Sequence, residues 1–411
     1  MRNQASAGHL LGLIRSGEAT TRGELQRVTG LSRSTVGHRL DQLFKAGWVR
    51  EVAGPPPEAP TGGRPALRLE FDASHAVVLC ADLETRHARA AVLALDGAVL
   101  AEHSGALLIN QGPRAAIDRL TRWFAELLEK AGVDPELVCG IGLSVPGPVD
   151  AEAARVVQPP MMPGWDGYPV REEMQRAFAA RVGRRDPVPV LLENDANLMA
   201  YAEQRHGYRD CPAFLLIKVS TGIGAGVVVG GEMYRGFDGG AGDIGHIRLS
   251  EHPHALCRCG SYGCLAAVAS GRALAEQLTA AGIPTASGSG VREQLAVGQP
   301  DAVRLAREAG RLVGGVLATV VTLLNPGVLM IAGDLAGPPF LTGVREVLYQ
   351  RAMPRATADL QVVTSRLGDH AGLTGAAAMV VESLYAPDQA DLRLAAMAEG
   401  RKPDVIPATN E

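Results

Sequence analysis

Three cysteines fall within eight residues in "CRCGSYGC", residues 257–264 of a 411-residue chain that holds only six. Cys257, Cys259 and Cys264 offer three thiolate donors, and His246 in "DIGHI", eleven residues before Cys257, is the nearest candidate for a fourth. A Cys3His set is the donor chemistry of a closed, tetrahedral and therefore structural zinc site. Thiolates packed this closely repel one another unless a cation binds them, so zinc is the expected cofactor. Redox chemistry fits less well, because no Cys-x-x-Cys opens a helix. Cys80, Cys139 and Cys211 are scattered along apolar segments and read as small core residues. Glycine-rich turns, "STGIGAG" at 220–226 and "AGDLAG" at 332–337, offer backbone N–H groups that could cradle phosphate, or are ordinary tight hairpins.

A second group of residues is basic. Residues 1–70 carry ten Arg or Lys against six Asp or Glu, a net of +4, which leaves −8 for the remainder of a chain whose formal charge is −4. A basic head on an acidic body suits a polyanionic partner. Within the head, Arg33, Ser34, Thr35, His38 and Arg39 occupy the polar side of a stripe formed by Val36, Leu40, Leu43 and Phe44. Ser32 is placed to cap this helix and Gly47 to stop it. The preceding helix opens with Thr21 three residues before Glu24, a capping-box spacing, turns Leu25 and Val28 inward, and ends at Gly30. Leu10, Leu11, Leu13 and Ile14 form an earlier apolar face. Two helices joined by a tight glycine turn predict a helix-turn-helix, the second helix meeting base edges and phosphates of double-stranded DNA. "WVREV" and "ALRLEFD" alternate as two strands around a Pro-rich loop, which completes a wing; Arg64 in "TGGRP" is an extended arginine suited to a narrow minor groove. A small helical bundle with a solvated basic face would carry the same pattern.

The elements behind these groups follow from length and periodicity. With 46% hydrophobic and 20% charged residues, the chain can bury a large core. The first residues lack a cleavage-site pattern and nowhere do eighteen apolar residues run together, so the expected location is the cytoplasm, with no membrane contact. From residue 75, strands and helices alternate, and the same order occurs twice. Three strands with a turn at "LDG", a helix around 113–131 and a buried strand in "VCGIGLSVPG" are matched later by "AFLLIKVSTGIGAGVVVGGEMYRG", more helices, the strand "GVLMIAGDLAG" and a last helix, "AGLTGAAAMVVESLY". Two such halves close over a cleft. The expected domains are 1–70 for the DNA-binding head with its wing, 71–386 for a two-lobed effector and dimerisation body, and 387–411 for a flexible polar tail.

"GDIGHI", "CRCGSYGCLAAVAS", "LSVPGPVD", "PGWDG", "ENDANLMAYAE" and "LNPGVLMIAG" together resemble the ROK family of repressors and sugar kinases. The resemblance covers essentially the whole chain. It implies an α/β fold, with an N-terminal winged helix-turn-helix followed by a duplicated actin-like, hexokinase-like (ribonuclease H-like) body. It also implies a structural zinc, a sugar in the cleft and, in the regulator branch, a homodimer or homotetramer on an inverted-repeat operator. Asp195 matches the aspartate with which the family's kinases take a proton from a sugar hydroxyl; as a bare residue it could equally be a helix N-cap.

Four positions depart from that pattern. Glu84 in "DLETR" stands where family kinases carry the glycine of DxGxT, and like charges about 4 Å apart cost on the order of 4 kcal/mol at an effective dielectric of ~20. Met161 replaces an asparagine two residues before the Pro-Gly-Trp, Asp243 replaces a glutamate in "GEIGH", and Ala266 replaces a glutamate after "GCL". The expected ligand set is Asn194, Asp195, Asp243, His246 and Met161, with no catalytic residue unless Asp195 retains kinase activity. The expected function is a DNA-binding transcriptional regulator, a repressor, that senses a carbohydrate-like effector without phosphorylating it. A sugar kinase with an added DNA-binding head, or a dimerising regulator without a ligand, are the alternatives.

Overall fold

The computed structural model describes residues 5–53 and 67–399. Helices α1 (Ala7–Ser16), α2 (Arg22–Thr29) and α3 (Arg33–Lys45) precede a two-stranded antiparallel ribbon, β1 (Val49–Ala53) and β2 (Leu67–Phe71). Local chemistry sets the helix ends. Thr21 and Glu24 form a reciprocal capping box at α2, Gly30 takes a left-handed φ of 69° after it, and the Ser32 hydroxyl accepts the Thr35 N–H at α3. Val28, expected inside, is 43% exposed; Leu25 alone is the buried residue of this short helix. The tip of the ribbon, with Arg64, lies outside the described residues.

The body contains two five-stranded sheets of identical order. The first runs β5 (Val99–Ala106), β4 (His87–Ala94), β3 (Val77–Leu83), β6 (Val138–Val145), β9 (Val190–Asn194). The hairpin β7 (Val149–Asp150) and β8 (Arg155–Val156) follows β6. The second sheet runs β12 (Glu232–Met233), β11 (Ile223–Val229), β10 (Ala213–Val219), β13 (Val328–Ala332), β14 (Gln361–Thr364). In each, a three-stranded antiparallel meander adjoins parallel strands, which are apolar except toward their carboxyl ends because both faces are covered. β3 is buried at every residue.

Helices α4 (Pro113–Ala131) and α5 (Val170–Val182) cover the outer face of the first sheet. α4 does so through Ile117, Leu120, Phe124 and Leu127, spaced three and four apart. The second sheet is covered outside by α7 (Leu265–Ala269), α8 (Gly271–Ala280), α9 (Gly288–Ala296), α10 (Pro300–Leu324) and α11 (Pro338–Arg351), with the short α12 (Pro354–Thr357) beyond.

Between the sheets lie two crossing helices, α6 (Asp195–Gly207) and α13 (Ala371–Tyr385). α6 follows the first sheet in the chain but packs on the second; α13 follows the second and packs on the first. The crossing needs small residues: a Cβ on Gly226 of β11 would sit 2.2 Å from the Ala196 carbonyl oxygen, and one on Gly375 of α13 would sit 2.1 Å from that of Leu198.

The expected flexible tail is corrected over residues 387–398, which form α14 (Pro387–Ala398) packed on α1. Asp391 explains the docking: its Oδ1 accepts the Gly8 N–H at 2.8 Å, occupying one of the open donors of the α1 N-terminus. Ala390 is fully buried and Leu394 packs alongside, so the four-residue spacing hidden in a polar stretch is an apolar edge. The apolar cluster of the head is continuous with Val78, Cys80, Ala91 and Leu93 on the inner face of the first sheet. Residues 400–411 lie outside the described set.

Candidate functional site

The cleft between the lobes is a cavity of about 760 Å³. Its polar groups sit at the carboxyl ends of parallel strands: Glu84 just after β3, Asn194 and Asp195 where β9 passes into α6, Lys218 at the end of β10. Asn194, not Asp195, caps α6, its Oδ1 accepting from the Ala196 and Asn197 N–H groups at 2.9 and 3.3 Å while its Nδ2 donates to the Gly147 carbonyl. This leaves Asp195, 7% exposed, to face Lys218: Nζ donates to Oδ2 at 2.6 Å. The other oxygen accepts the Ala196 N–H at 2.7 Å.

Burial disfavours charge on Lys218, yet the carboxylates of Asp195, Asp82 and Glu84 outweigh that and hold it above the ordinary lysine range. Burial pushes the Asp82 carboxyl up to about 6, against the pull of Lys218 and of the Ser144 hydroxyl, which donates at 2.5 Å. Glu84 adopts no left-handed backbone, so its position needs no glycine; its carboxylate lines the cavity beside Thr85, whose hydroxyl meets that of Thr221 from the opposite lobe at 3.3 Å. Of the glycine-rich turns, 220–225 lines the cavity, and Ser220 Oγ accepts the Asp334 N–H at 3.2 Å, tying the two turns to each other.

Met161, Asp243, His246 and Ala266 also line the cavity. Two groups that the sequence reading passed over are Lys218 and Asn197. Lys218 is one of four lysines in the chain and interrupts the apolar strand "AFLLIKV", a signal in itself. Asn197 lies one turn beyond Asn194 and donates through Nδ2 to Glu193 at 3.0 Å, while its Oδ1 is buried out of reach of solvent without a partner. Such an unpaired acceptor costs roughly 1–3 kcal/mol. Glu193 in turn accepts from Arg235 of the opposite lobe at 2.5 Å.

The four expected metal donors converge. Their ligand atoms lie within 4.8 Å of one another, with 3.6 Å between His246 Nδ1 and Cys257 Sγ and 3.7 Å between Cys259 Sγ and Cys264 Sγ. A tetrahedral ion with bonds of about 2.0–2.3 Å needs donor edges of this length. The residues therefore fit a metal ion. A knuckle with Gly260 at φ 85° and a Cys257 N–H to Ser261 carbonyl bond of 2.8 Å presents the thiols, and the same loop lines the cleft. Cys80 and Cys139 pack in the core, where burial pushes both thiols up, Cys139 to about 11. Cys211 bonds the Ala213 carbonyl.

On the head, Arg33, Ser34 and His38 are exposed along one side of α3, with Thr35 half-buried and its hydroxyl 2.9 Å from that of Ser32. Arg39 departs from the expected reading face. It is half-buried, with Nε donating to the Ala5 carbonyl at 3.0 Å and Nη1 to Gln42, so it holds the chain entering α1.

A duplicated α/β body over a polar cleft, carrying a three-helix head with a ribbon, defines the class. Residues 78–383 match the ROK family, and the chain belongs to it. The chain is 28% identical over 390 residues to a putative xylose repressor of Caldicellulosiruptor sp. (strain Rt8B.4), covering 90% of this chain and 93% of that one. A glucokinase of Streptomyces coelicolor is 34% identical over 297 residues, covering 66% of this chain and 87% of its own. Among solved structures, a ROK family transcriptional regulator, homologue of the E. coli MLC protein, superposes with a TM-score of 0.75 at 27% identity, covering 93% of this chain and 97% of the other. The repressor and the regulator thus match over nine-tenths of the chain, and the kinase over two thirds.

Proposed function

We propose that this chain is a ROK-family transcriptional repressor whose cleft senses a neutral, carbohydrate-like effector without phosphorylating it. The observation that carries the non-catalytic reading is the Asp195–Lys218 pair: an ammonium 2.6 Å from Oδ2 holds the carboxylate in an ion pair, where a kinase needs a free general base. Glu84 adds negative charge where nucleotide phosphates would enter. The full-length relatives, one a repressor and one a transcriptional regulator, support the DNA-binding role.

In this reading, Arg33, Ser34, Thr35 and His38 meet the major groove, Arg64 reaches toward the minor groove, and two heads of a homodimer or homotetramer bind an inverted repeat. Asn194, Asp195, Asp243, His246 and Met161 surround the effector. His246, Cys257, Cys259 and Cys264 hold a structural zinc that supplies rigidity to the cleft wall. The protein works in the cytoplasm.

Coupling has a physical route. α13 begins where the Asp82 carboxylate, near the end of β3 and two residues before the cavity-lining Glu84, packs against Gly372, and it ends at Tyr385, about 22 Å on at 1.5 Å per residue. Tyr385 is buried among Trp48 and Phe71 of the head, ring centroids at 5.2 and 5.1 Å, with Arg15 and Arg393 over its ring. Effector closure that displaces α13 therefore displaces the heads.

Selection of operator DNA from a random pool, followed by release with a metabolite panel, tests the reading. A single inverted repeat whose binding responds to a neutral sugar is the expected result. The kinase reading rests on the glucokinase match; robust ATP-coupled turnover that disappears in Asp195→Ala would establish it and overturn the sensor. A filled cleft with no thermal shift for any sugar would favour a dimerising regulator without a ligand.

A further inference from the structure

We infer that Lys218 is the specificity-determining residue of the cleft. With Asp195 it forms a donor–acceptor pair that reads two adjacent hydroxyls of a neutral polyol. The inference rests on the proposed reading of the cleft as an effector site and names the group that selects its ligand.

Two observations carry it. First, Lys218 Nζ and Asp195 Oδ2 lie 2.6 Å apart, close to the spacing of hydroxyl oxygens on neighbouring carbons, and both residues line the cavity. One hydroxyl donates to the carboxylate while its neighbour accepts from the ammonium, so a vicinal pair satisfies both partners without separating them. Second, the charge of the ammonium is already met by three carboxylates, Asp195, Asp82 and Glu84, and Glu84 itself lines the cavity. An anionic ligand gains little from a cation so surrounded and meets repulsion from Glu84, which favours an uncharged polyol over a sugar acid or sugar phosphate.

The test is a ligand-deletion cycle on the full chain. Binding of D-xylose, D-glucose, D-mannose and myo-inositol, of their monodeoxy analogues, and of D-gluconate is measured by calorimetry for wild type, Lys218→Met and Lys218→Arg. Wild type should bind at least one neutral polyol and not gluconate. Lys218→Met should weaken that ligand at least tenfold, yet leave the affinity for one of its monodeoxy analogues unchanged, since that contact is already gone. A purely structural role would weaken parent and analogue alike, and that outcome overturns the inference. Lys218→Arg keeps the charge and guards against misfolding: it should retain the thermal midpoint of wild type while altering the rank order of the panel. If Lys218→Met fails to fold, an unaltered rank order in Lys218→Arg overturns the assignment. Wild type binding a neutral polyol that Lys218→Met binds equally well overturns this inference alone. Wild type silent to the whole panel overturns the sensor reading and this inference with it.

Discussion

Asp82 sits buried at the end of β3 with its carboxyl pushed up from an ordinary 3.8 to about 6, chiefly by loss of water. An acid whose folded pKa exceeds its unfolded value destabilises the fold once it must ionise. Below about pH 4 it is protonated in both states and has no effect; as pH rises toward 6 the unfolded chain releases the proton first and stability falls; above 6 the cost is constant. A shift of about two units corresponds to roughly 3 kcal/mol. Asp82→Asn should therefore gain stability over wild type between pH 4 and pH 7 in urea unfolding; an equal difference at both pH values would contradict this origin. In the proposed zinc site, Cys259 is the exposed residue of the His/Cys cluster. Cys259→Ser should lower bound zinc from about one ion per chain toward none and lower the thermal midpoint, as a chelator should for wild type. A metal-free wild type with an unaltered midpoint under chelation would remove zinc from the account.

At the scale of elements, α3 divides its arginines between two tasks. Arg33 is exposed at the first turn, whereas Arg39 holds the Ala5 carbonyl. Arg33→Ala is expected to weaken operator binding and reduce the slope of log affinity against log salt by about one. Arg39→Ala should act mainly on the thermal stability of the head and leave that slope nearly unaltered. Equal slope changes in both would restore Arg39 to the DNA face. The caps and stripes of this region were legible in the sequence because they depend on residues three and four apart. Arg39 was not, because its partner lies 34 residues away. Val28 misled for a related reason: a helix of eight residues buries one side chain, and periodicity alone does not say which.

At the scale of the molecule, α13 runs from Asp82 of β3 to the head, and contacts tie α6 to it. The buried Glu203 of α6 accepts the Arg366 and Leu367 N–H groups at 2.9 Å just before α13, and Arg205 of α6 pairs with Glu382 of α13 at 3.5 Å. His75 donates through Nδ1 to the Asp72 carbonyl, which leaves Nε2 to accept the Tyr385 hydroxyl at 2.6 Å. Tyr385→Leu keeps apolar volume but removes the hydroxyl and ring that engage Trp48 and His75. Effector affinity should be retained within about threefold and operator affinity kept, while release of operator by effector is lost. Release as in wild type would rule out this route.

The His/Cys cluster, the capped helices, the ribbon and the duplicated strand order were all readable from the sequence alone. Each is set by short-range spacing or by side-chain types that have few other uses. The tertiary structure decided which residues of the matched motifs do what. "ENDAN" places a carboxylate in the cleft, but only folding brings Lys218 from another strand against Asp195 and leaves Asn197 Oδ1 without a donor. "PDQADLRLAAMA" reads as a polar tail until the N-terminus of α1, 383 residues away, presents the Gly8 N–H to Asp391. Ion pairs and caps between distant segments leave no periodic trace, because either partner by itself is an ordinary surface residue. What distinguishes them is the loss of water when the two are buried together.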